Sequence, residues 1–186
     1  FLSIFSLIMK NSFIFECAVG LNAHGTDWHK LVEHVSQFGK SRMIAGDYKS
    51  FDSNMSSTMT MKAMELLIQI AIWAEYSEDQ VTVMRGIATE ICYPLYEYNG
   101  TYMIINGSNP SGHPGTVFVN NIANSLYLRY AYYDLSPVPF PPPFHHCVSP
   151  SNYGDDNRMS VAEECTWFNH TAVAASLSTI GVTYTM

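Results

Sequence analysis

The chain has 186 residues, with 9 Lys and Arg against 16 Asp and Glu, and a formal net charge of −7 at pH 7. Because hydrophobic residues make up 47% and charged residues only 13%, the composition excludes a disordered chain, which would be poor in apolar side chains. It also argues against a histone-like or tail-like nucleic-acid binder, since such proteins hold phosphates with Lys and Arg. A chain of this length fits one domain or slightly more and can bury a core.

Periodic apolar residues predict helices in several parts of the chain. In chain order these helices cover residues 1–9, part of 24–40, 56–75, 77–92, 116–133 and 163–180. Asp27 is the expected N-cap of the second helix and Ser77 that of the fourth, where Asp79 lies in the first turn. The first helix is far shorter than the roughly 20 apolar residues that a membrane-spanning helix needs, so no intrinsic transmembrane segment is expected.

Strand signals are fewer and favour an α+β fold. They predict a strand over 41–46, a hairpin turning at Asn99-Gly100 between 95–98 and 101–105, and a second hairpin turning at 153–156. Residues 107–115 are predicted to be a loop, 47–55 a polar turn, and 137–143 a stiff Pro-rich connection at the surface.

The four cysteines, at positions 17, 92, 147 and 165, are widely spaced and contain no CxxC pair. We therefore expect neither a disulfide framework nor a four-cysteine zinc site, and we expect a reducing compartment. A zinc site at His145-His146-Cys147 with Cys165 and His170 is an alternative, but its spacing fits no closed zinc signature. Because the chain opens with Phe1 and not with Met, we interpret it as a fragment.

Two carboxylates frame the polar segment AGDYKSFDSNM. Asp47 ends the predicted strand and Asp52 begins a short helix, so both can project from one rim of a sheet. Asp47 is well placed to bind a divalent cation. Asp52 also fits a simple role as a helix cap, and the D-x4-D spacing alone does not decide between these roles.

Two adjacent carboxylates recur in Tyr153-Gly154-Asp155-Asp156, which is flanked by Asn152 and Asn157. The glycine supplies the backbone freedom that a hairpin turn needs. Neighbouring carboxylates in a tight turn repel each other and favour a cation, and Mg²⁺ prefers oxygen ligands, few protein carboxylates and substrate phosphates. An ordinary solvated Asx turn is the alternative.

A loop rich in Gly, Pro and Ser ends with SGHPG and leads into a polar row on the next helix. Thr116, Asn120 and Asn124 stand at i, i+4 and i+8 and therefore share one helix face. The row either binds a hydroxylated ligand or packs one helix against another. The glycines of the loop would let the backbone approach a substrate closely.

Taken in order, D-x4-D, SG-x3-T-x3-N and YGDD resemble motifs A, B and C of the palm domain of viral RNA-dependent RNA polymerases. The stretches AGDYKSFDSNM, NPSGHPGTVFVNN, YGDDN and ECAVGLN resemble the picorna-like group of positive-strand RNA viruses (Picornavirales). The resemblance covers roughly residues 14–186. It implies a right-hand polymerase palm, an antiparallel sheet packed on helices, with part of the fingers.

The resemblance also implies a division of the chain. Residues 1–40 would belong to the fingers, 41–76 to the palm with motif A, 77–110 to a fingers insertion with a hairpin, and 111–186 to the palm with motifs B, C and the start of D. Motif F, the end of motif D and the thumb are expected to be absent. We therefore expect the isolated fragment to be inactive.

Catalytic roles follow from the same resemblance. Asp47, Asp155 and Asp156 would hold two Mg²⁺ ions, for which Mn²⁺ is a substitute, and a backbone carbonyl near Tyr48 would add a ligand. Two ions stabilise both the attacking and the leaving oxygen of an in-line displacement. The implied reaction is template-directed nucleotidyl transfer from ribonucleoside triphosphates to an RNA 3′-hydroxyl during viral genome replication.

Substrate recognition is implied for a second set of residues. Asp52 with Asn120, and with Ser111 and Thr116, would recognise the ribose 2′-hydroxyl, the group that separates RNA from DNA precursors. The loop at Ser111-Gly112 would flex during translocation. The implied partners are the RNA template and primer, ribonucleoside triphosphates and other viral replication proteins, at membrane-associated replication complexes in the host cytoplasm.

Alternatives and departures remain open at the level of sequence. A reverse transcriptase usually carries Met, Val or Ala before the paired aspartates, where this chain has Gly154, and the pairing of Asp52 with Asn120 favours RNA. A non-catalytic integrated viral relic, or a plain acidic structural domain, would have no need to keep the carboxylates and the asparagine of the three motifs. Pro150 departs from the usual apolar approach to motif C and predicts an edge strand or a bulge.

Overall fold

The structure, a computed structural model, describes residues 1–185. Its helices are α1 (Leu2–Lys10), α2 (Thr26–Val35), α3 (Phe51–Asn54), α4 (Ser57–Trp73), α5 (Glu78–Cys92), α6 (Thr116–Leu135), α7 (Phe144–Cys147) and α8 (His170–Ser178). Its strands are β1 (Met43–Tyr48), β2 (Leu95–Tyr98), β3 (Thr101–Ile104), β4 (Val148–Tyr153), β5 (Asp156–Val161) and β6 (Tyr184–Thr185). Helices packed with antiparallel strands confirm the predicted α+β class.

The main sheet has the strand order β4-β5-β1-β6, and each neighbouring pair is antiparallel. Strand β1 pairs with β5 from Met43 opposite Ser160 to Gly46 opposite Asn157. Asp47 and Asp156 each stand one residue beyond that last pair. Because of this register, the end of β1 lies beside the turn that joins β4 and β5.

The long helix α6 is the centre of the helical layer. It packs against α4, α8 and β4, and α4 packs in turn against α5. Its buried residues lie along its whole length, from Phe118 to Tyr132, as expected for a helix surrounded by other elements. Polar Asn120, Asn121 and Asn124 are buried with them, so each needs a hydrogen-bonding role in the interior.

Several local predictions are confirmed. Ser77 caps α5 in a reciprocal capping box with Gln80. Asn99 and Gly100, with φ of 51° and 80°, turn the β2–β3 hairpin. Pro150 lies in β4 at the edge of the main sheet, and its register with β5 is continuous, so the strand is an edge without a bulge.

Two helix predictions are wrong. The helix expected over 163–180 is divided into a 3₁₀ turn at Glu163–Cys165 and α8, because the Asn169 side chain accepts from Ala172 N at 3.1 Å and starts a new helix. The N-cap of α2 is Gly25, not Asp27. Asp27 lies in the first turn of α2 and accepts from Asn22 N at 3.3 Å.

The strand predicted over 41–46 begins at Met43 and continues through Tyr48. Asp47 therefore lies inside the sheet, where it is paired with Thr185 of the unpredicted strand β6. In residues 1–185, none of the helices has both the length and the apolar character that crossing a bilayer requires.

Candidate active site

The turn between β4 and β5 carries the paired carboxylates. Tyr153 and Asp156 form the last strand pair, which leaves Gly154 and Asp155 as a two-residue loop. Gly154 has φ of 63°, the conformation that the first loop residue of a type II′ turn requires. A Cβ added to Gly154 would lie 3.7 Å from Val117 Cγ2, so the turn rests on α6.

Asn124 on α6 holds the backbone of this turn. Its fully buried Nδ2 lies 3.1, 2.7 and 3.2 Å from the carbonyl oxygens of Gly154, Asp155 and Asp156. Its Oδ1 accepts from Tyr48 Oη at 3.0 Å and from Asn157 Nδ2 at 3.2 Å. Asn124 shares a helix face with Thr116 and Asn120 as predicted, but its side chain is engaged by the turn and the sheet.

Tyr184 completes this buried network from the far edge of the sheet. Its Oη donates to Asn157 Oδ1 at 2.6 Å. Its ring crosses β1 over Gly46, where any Cβ would overlap it. Burial raises the pKa of Tyr48 and of Tyr184 above the ordinary value, so both hydroxyls remain donors at neutral pH. Tyr184 has no local sequence signal, since its contact depends on the β1–β6 register.

The predicted catalytic carboxylates influence one another at the turn. Burial, and after it the negative charges of Asp47, Asp156 and Asp52, raise the pKa of Asp155 above its usual range. Asp47 and Asp156 are exposed, and Asp155 is half-buried. The Asp47 carboxylate accepts from Tyr48 N at 2.7 Å. The turn therefore concentrates negative charge from distant parts of the chain on one rim of the sheet.

A divalent cation fits the chemistry of this donor set. Within residues 1–185, no three His, Cys, Asp or Glu side chains converge tightly enough to hold a metal ion by themselves. The residues of the zinc alternative therefore form no such cluster either, and its Cys147 and Cys165 are buried free thiols. Mg²⁺ usually takes one or two carboxylates and completes its shell with water and substrate phosphates, which suits the exposed oxygens of Asp47 and Asp156.

Asp52 joins residues far from it in sequence. Asn120 Nδ2 donates to Asp52 Oδ1 at 2.6 Å, and Ser111 Oγ donates to Asp52 Oδ2 at 3.1 Å. The N-cap of α3 is Ser50, and Asp52 lies in the first turn, so Asp52 is not the helix cap. The structure thus brings together three of the five predicted substrate-binding residues, Asp52, Ser111 and Asn120.

The other predicted substrate residues have different positions. The Thr116 hydroxyl lies 3.0 Å from Pro110 O and 2.9 Å from His113 O, so its hydrogen bonds stabilise the loop at 107–115. Gly112 is exposed and has φ of 95°, and a Cβ there would meet no atom within 4 Å. Backbone conformation, rather than lack of space, favours glycine at this position.

Asn109, which no sequence signal singled out, links this loop to α6. It is 1% exposed. Its Nδ2 donates to Asn120 Oδ1 at 2.7 Å and to Thr116 O at 3.2 Å, and its backbone N donates to Asp52 O at 2.8 Å. Asn109 therefore bonds to both members of the Asp52–Asn120 pair and helps to keep them together.

Comparison with known proteins identifies relatives of the whole segment. Residues 1–186 match the family model described as viral RNA-dependent RNA polymerase. The chain is 27% identical over 199 residues to the replicase polyprotein of Cricket paralysis virus, covering 100% of the chain and 11% of that polyprotein. It is 30% identical over 192 residues to the RNA1 polyprotein of Cowpea mosaic virus, covering 100% of the chain and 10% of the relative.

A solved structure shares the fold. The Sicinivirus 3Dpol RNA dependent RNA polymerase superposes with a TM-score of 0.72 at 19% identity, covering 98% of this chain and 36% of that one. This likeness concerns the fold and confirms the class expected from the sequence. The chain spans about a tenth of the length of the curated relatives named above.

Proposed function

This chain belongs to the viral RNA-dependent RNA polymerase family, and on that premise we propose that it carries the centre for template-directed RNA synthesis in viral genome replication. The reaction would transfer a nucleotide from a ribonucleoside triphosphate to an RNA 3′-hydroxyl. The observation that carries the proposal is the strand register that brings Asp47, at the end of β1, beside Asp155 and Asp156 in the β4–β5 turn. Burial and the negative charges of Asp47, Asp156 and Asp52 raise the pKa of Asp155 there. Such perturbed carboxylates concentrate at functional sites.

Asp47 and Asp155 would be the principal ligands of two Mg²⁺ ions, with Asp156 and a backbone carbonyl near Tyr48 assisting. When bound, the ions would stabilise the attacking and leaving oxygens of an in-line displacement. The protein contributes positioning and charge, which dominate phosphoryl transfer. Asn124 serves this role by fixing the backbone on both sides of the Asp155 side chain.

Asp52, Asn120 and Ser111 would recognise the ribose. The half-buried Asp52 carboxylate already accepts from both partners, so it is oriented before a substrate arrives. A site built to bond a hydroxyl rejects an analogue that lacks it, because its polar groups are then left unpaired. Gly112, next to Ser111 on the exposed loop, would let that loop change conformation during translocation.

The proposed partners are the RNA template and primer and ribonucleoside triphosphates. The named relatives are polyproteins, which supports an origin beside other viral replication proteins. We place the activity at membrane-associated replication complexes in the host cytoplasm, as the family resemblance implies.

The test is a primer-extension assay with a full-length polymerase that contains these residues. Asp155→Asn should abolish synthesis, because it removes a charged ligand with little change of shape. Asp79→Asn, an exposed residue in the first turn of α5, is the matched control and should extend normally. RNA synthesis that survives Asp155→Asn would overturn the proposal.

The same assay addresses the two alternatives. Preferential use of deoxyribonucleotides over ribonucleotides by the unsubstituted polymerase would support a reverse transcriptase. A folded full-length chain that extends no primer would support a non-catalytic relic.

A further inference from the structure

A directed chain of hydrogen bonds begins at His113. Gly115 N donates to His113 Nδ1 at 3.1 Å, and His113 Nε2 lies 2.9 Å from Asn109 Oδ1. Because Nδ1 accepts, the neutral ring carries its hydrogen on Nε2 and donates it to Asn109. The tautomer follows from the two partners.

The direction of this first bond determines the next two. Since Asn109 accepts with Oδ1, its Nδ2 faces Asn120 Oδ1, at 2.7 Å. Asn120 then presents its own Nδ2 to Asp52 Oδ1, at 2.6 Å. Reversing the amide of Asn109 would place donor against donor at His113 and acceptor against acceptor at Asn120.

We propose that His113 is a positioning residue whose neutral ring, acting through Asn109, holds Asn120 toward Asp52 and so tightens the selection of ribonucleoside over deoxyribonucleoside triphosphates. This inference rests on the proposed function, which assigns Asp52 and Asn120 to the ribose 2′-hydroxyl. His113 itself makes no contact with the sugar in this scheme.

The surroundings of His113 favour the neutral ring. Burial lowers the pKa of His113, and the negative charge of Asp52 opposes that effect. A Cβ added to Gly115 would lie 3.1 Å from Phe5 Cζ and 3.2 Å from His113 Nδ1, so Gly115 fits closely between α1 and the ring. The ring thus bonds to uncharged Gly115 and Asn109, and the Asp52 carboxylate supplies a nearby negative charge.

Protonation would break the first bond. A hydrogen on Nδ1 would point at the N–H of Gly115, so the ring would have to turn away from the geometry that orients Asn109. Sugar selection should therefore weaken as the pH falls through the pKa of His113, while it stays intact above it.

Two substitutions separate the roles of the ring nitrogens. His113→Gln places an amide nitrogen near the position of Nε2 and keeps the donor to Asn109 without a titratable group. His113→Asn keeps an acceptor for Gly115 near the position of Nδ1 but is too short to reach Asn109. His29→Gln is the matched control, because the His29 side chain is 79% exposed and pairs with Glu33 on α2.

The experiment measures kcat/KM for a ribonucleotide and its 2′-deoxy analogue in the full-length polymerase from about pH 5.5 to 8. We expect the unsubstituted and His29→Gln enzymes to lose discrimination toward low pH. His113→Gln should keep the neutral-pH ratio throughout that range. His113→Asn should hold the ratio, at every pH, about tenfold below the neutral-pH value of the unsubstituted enzyme, the effect of one lost bond in a buried network.

The outcomes distinguish this inference from the proposed function. If His113→Asn slows both nucleotides equally, or if His113→Gln retains the pH profile, the inference is overturned while RNA synthesis stands. Ring ¹⁵N chemical shifts of His113 in the same protein test it even without turnover. A hydrogen on Nε2 is expected, and a hydrogen on Nδ1 at neutral pH would overturn it.

Discussion

Asn124 donates a hydrogen bond to the carbonyl oxygen of Asp155 at 2.7 Å, across 31 positions of sequence. The Asn124 amide gives the carbonyl oxygens of the β4–β5 turn the hydrogen bonds that water would otherwise supply, and this turn carries the proposed metal ligands. Asn124→Ala would leave the turn carbonyls and the donors from Tyr48 and Asn157 without this partner. We expect kcat to fall about 100-fold, because a displacement near 1 Å has effects of that size, and stability to fall by about 2–4 kcal/mol.

Asn121→Ala is the control for this experiment. Asn121 is equally buried on α6, but within residues 1–185 its Oδ1 has no hydrogen-bond partner. Steady-state extension and urea unfolding of both variants separate turn geometry from helix packing. Equal effects of the two substitutions would show that Asn124 acts only as a buried polar residue.

Asp52→Ala should relax the choice of sugar. Removing the carboxylate leaves Asn120 and Ser111 without their shared acceptor, so we expect discrimination against a 2′-deoxynucleotide to fall at least about tenfold. Competition between the two nucleotides on one template measures this ratio. An equal loss for both nucleotides would remove the sugar-selection role.

Gly46→Ala should destabilise the fold. The new methyl group would overlap the Tyr184 ring, which must cross β1 to reach Asn157, and overpacking of this kind costs about 1–3 kcal/mol. Gly86→Ala in α5 is the matched control, because a Cβ there meets no atom within 4 Å. This substitution should stabilise the helix by about 0.5–1 kcal/mol. Urea unfolding checks both, and a Gly46→Ala variant as stable as the parent would contradict the packing at Tyr184.

Asp155→Asn should raise the melting temperature of the metal-free polymerase at neutral pH. Because the folded-state pKa of Asp155 lies above the ordinary value of 3.8, the folded protein binds the proton more tightly than the unfolded chain does, and stability falls as pH rises through the folded-state pKa. The gain from Asn should therefore disappear once the pH is below that ordinary value, and it should shrink when MgCl₂ is added. Thermal scans with EDTA or MgCl₂ measure it, and a gain unchanged by pH would exclude charge repulsion as its cause.

Local signals accounted for much of the fold. The capping box of Ser77 and Gln80 and the turn at Asn99-Gly100 follow from residues a few positions apart, whose backbone preferences act whatever surrounds them. The missed break at Asn169 is also local, since a capping side chain competed with the apolar periodicity and prevailed. Strand β6 lacked such a signal because it is only two residues long.

By itself, the sequence predicted which carboxylates and amides form the candidate site, through the order and spacing of three short motifs around Asp47, Asn120 and Asp155. Only the tertiary structure decided what each one touches. Asn124 and Asn120 lie one helical turn apart on the same face of α6, yet one binds the β4–β5 turn and the other Asp52. Helix periodicity specifies a face, whereas a hydrogen-bond partner depends on the packing of strands and loops that are distant in the chain.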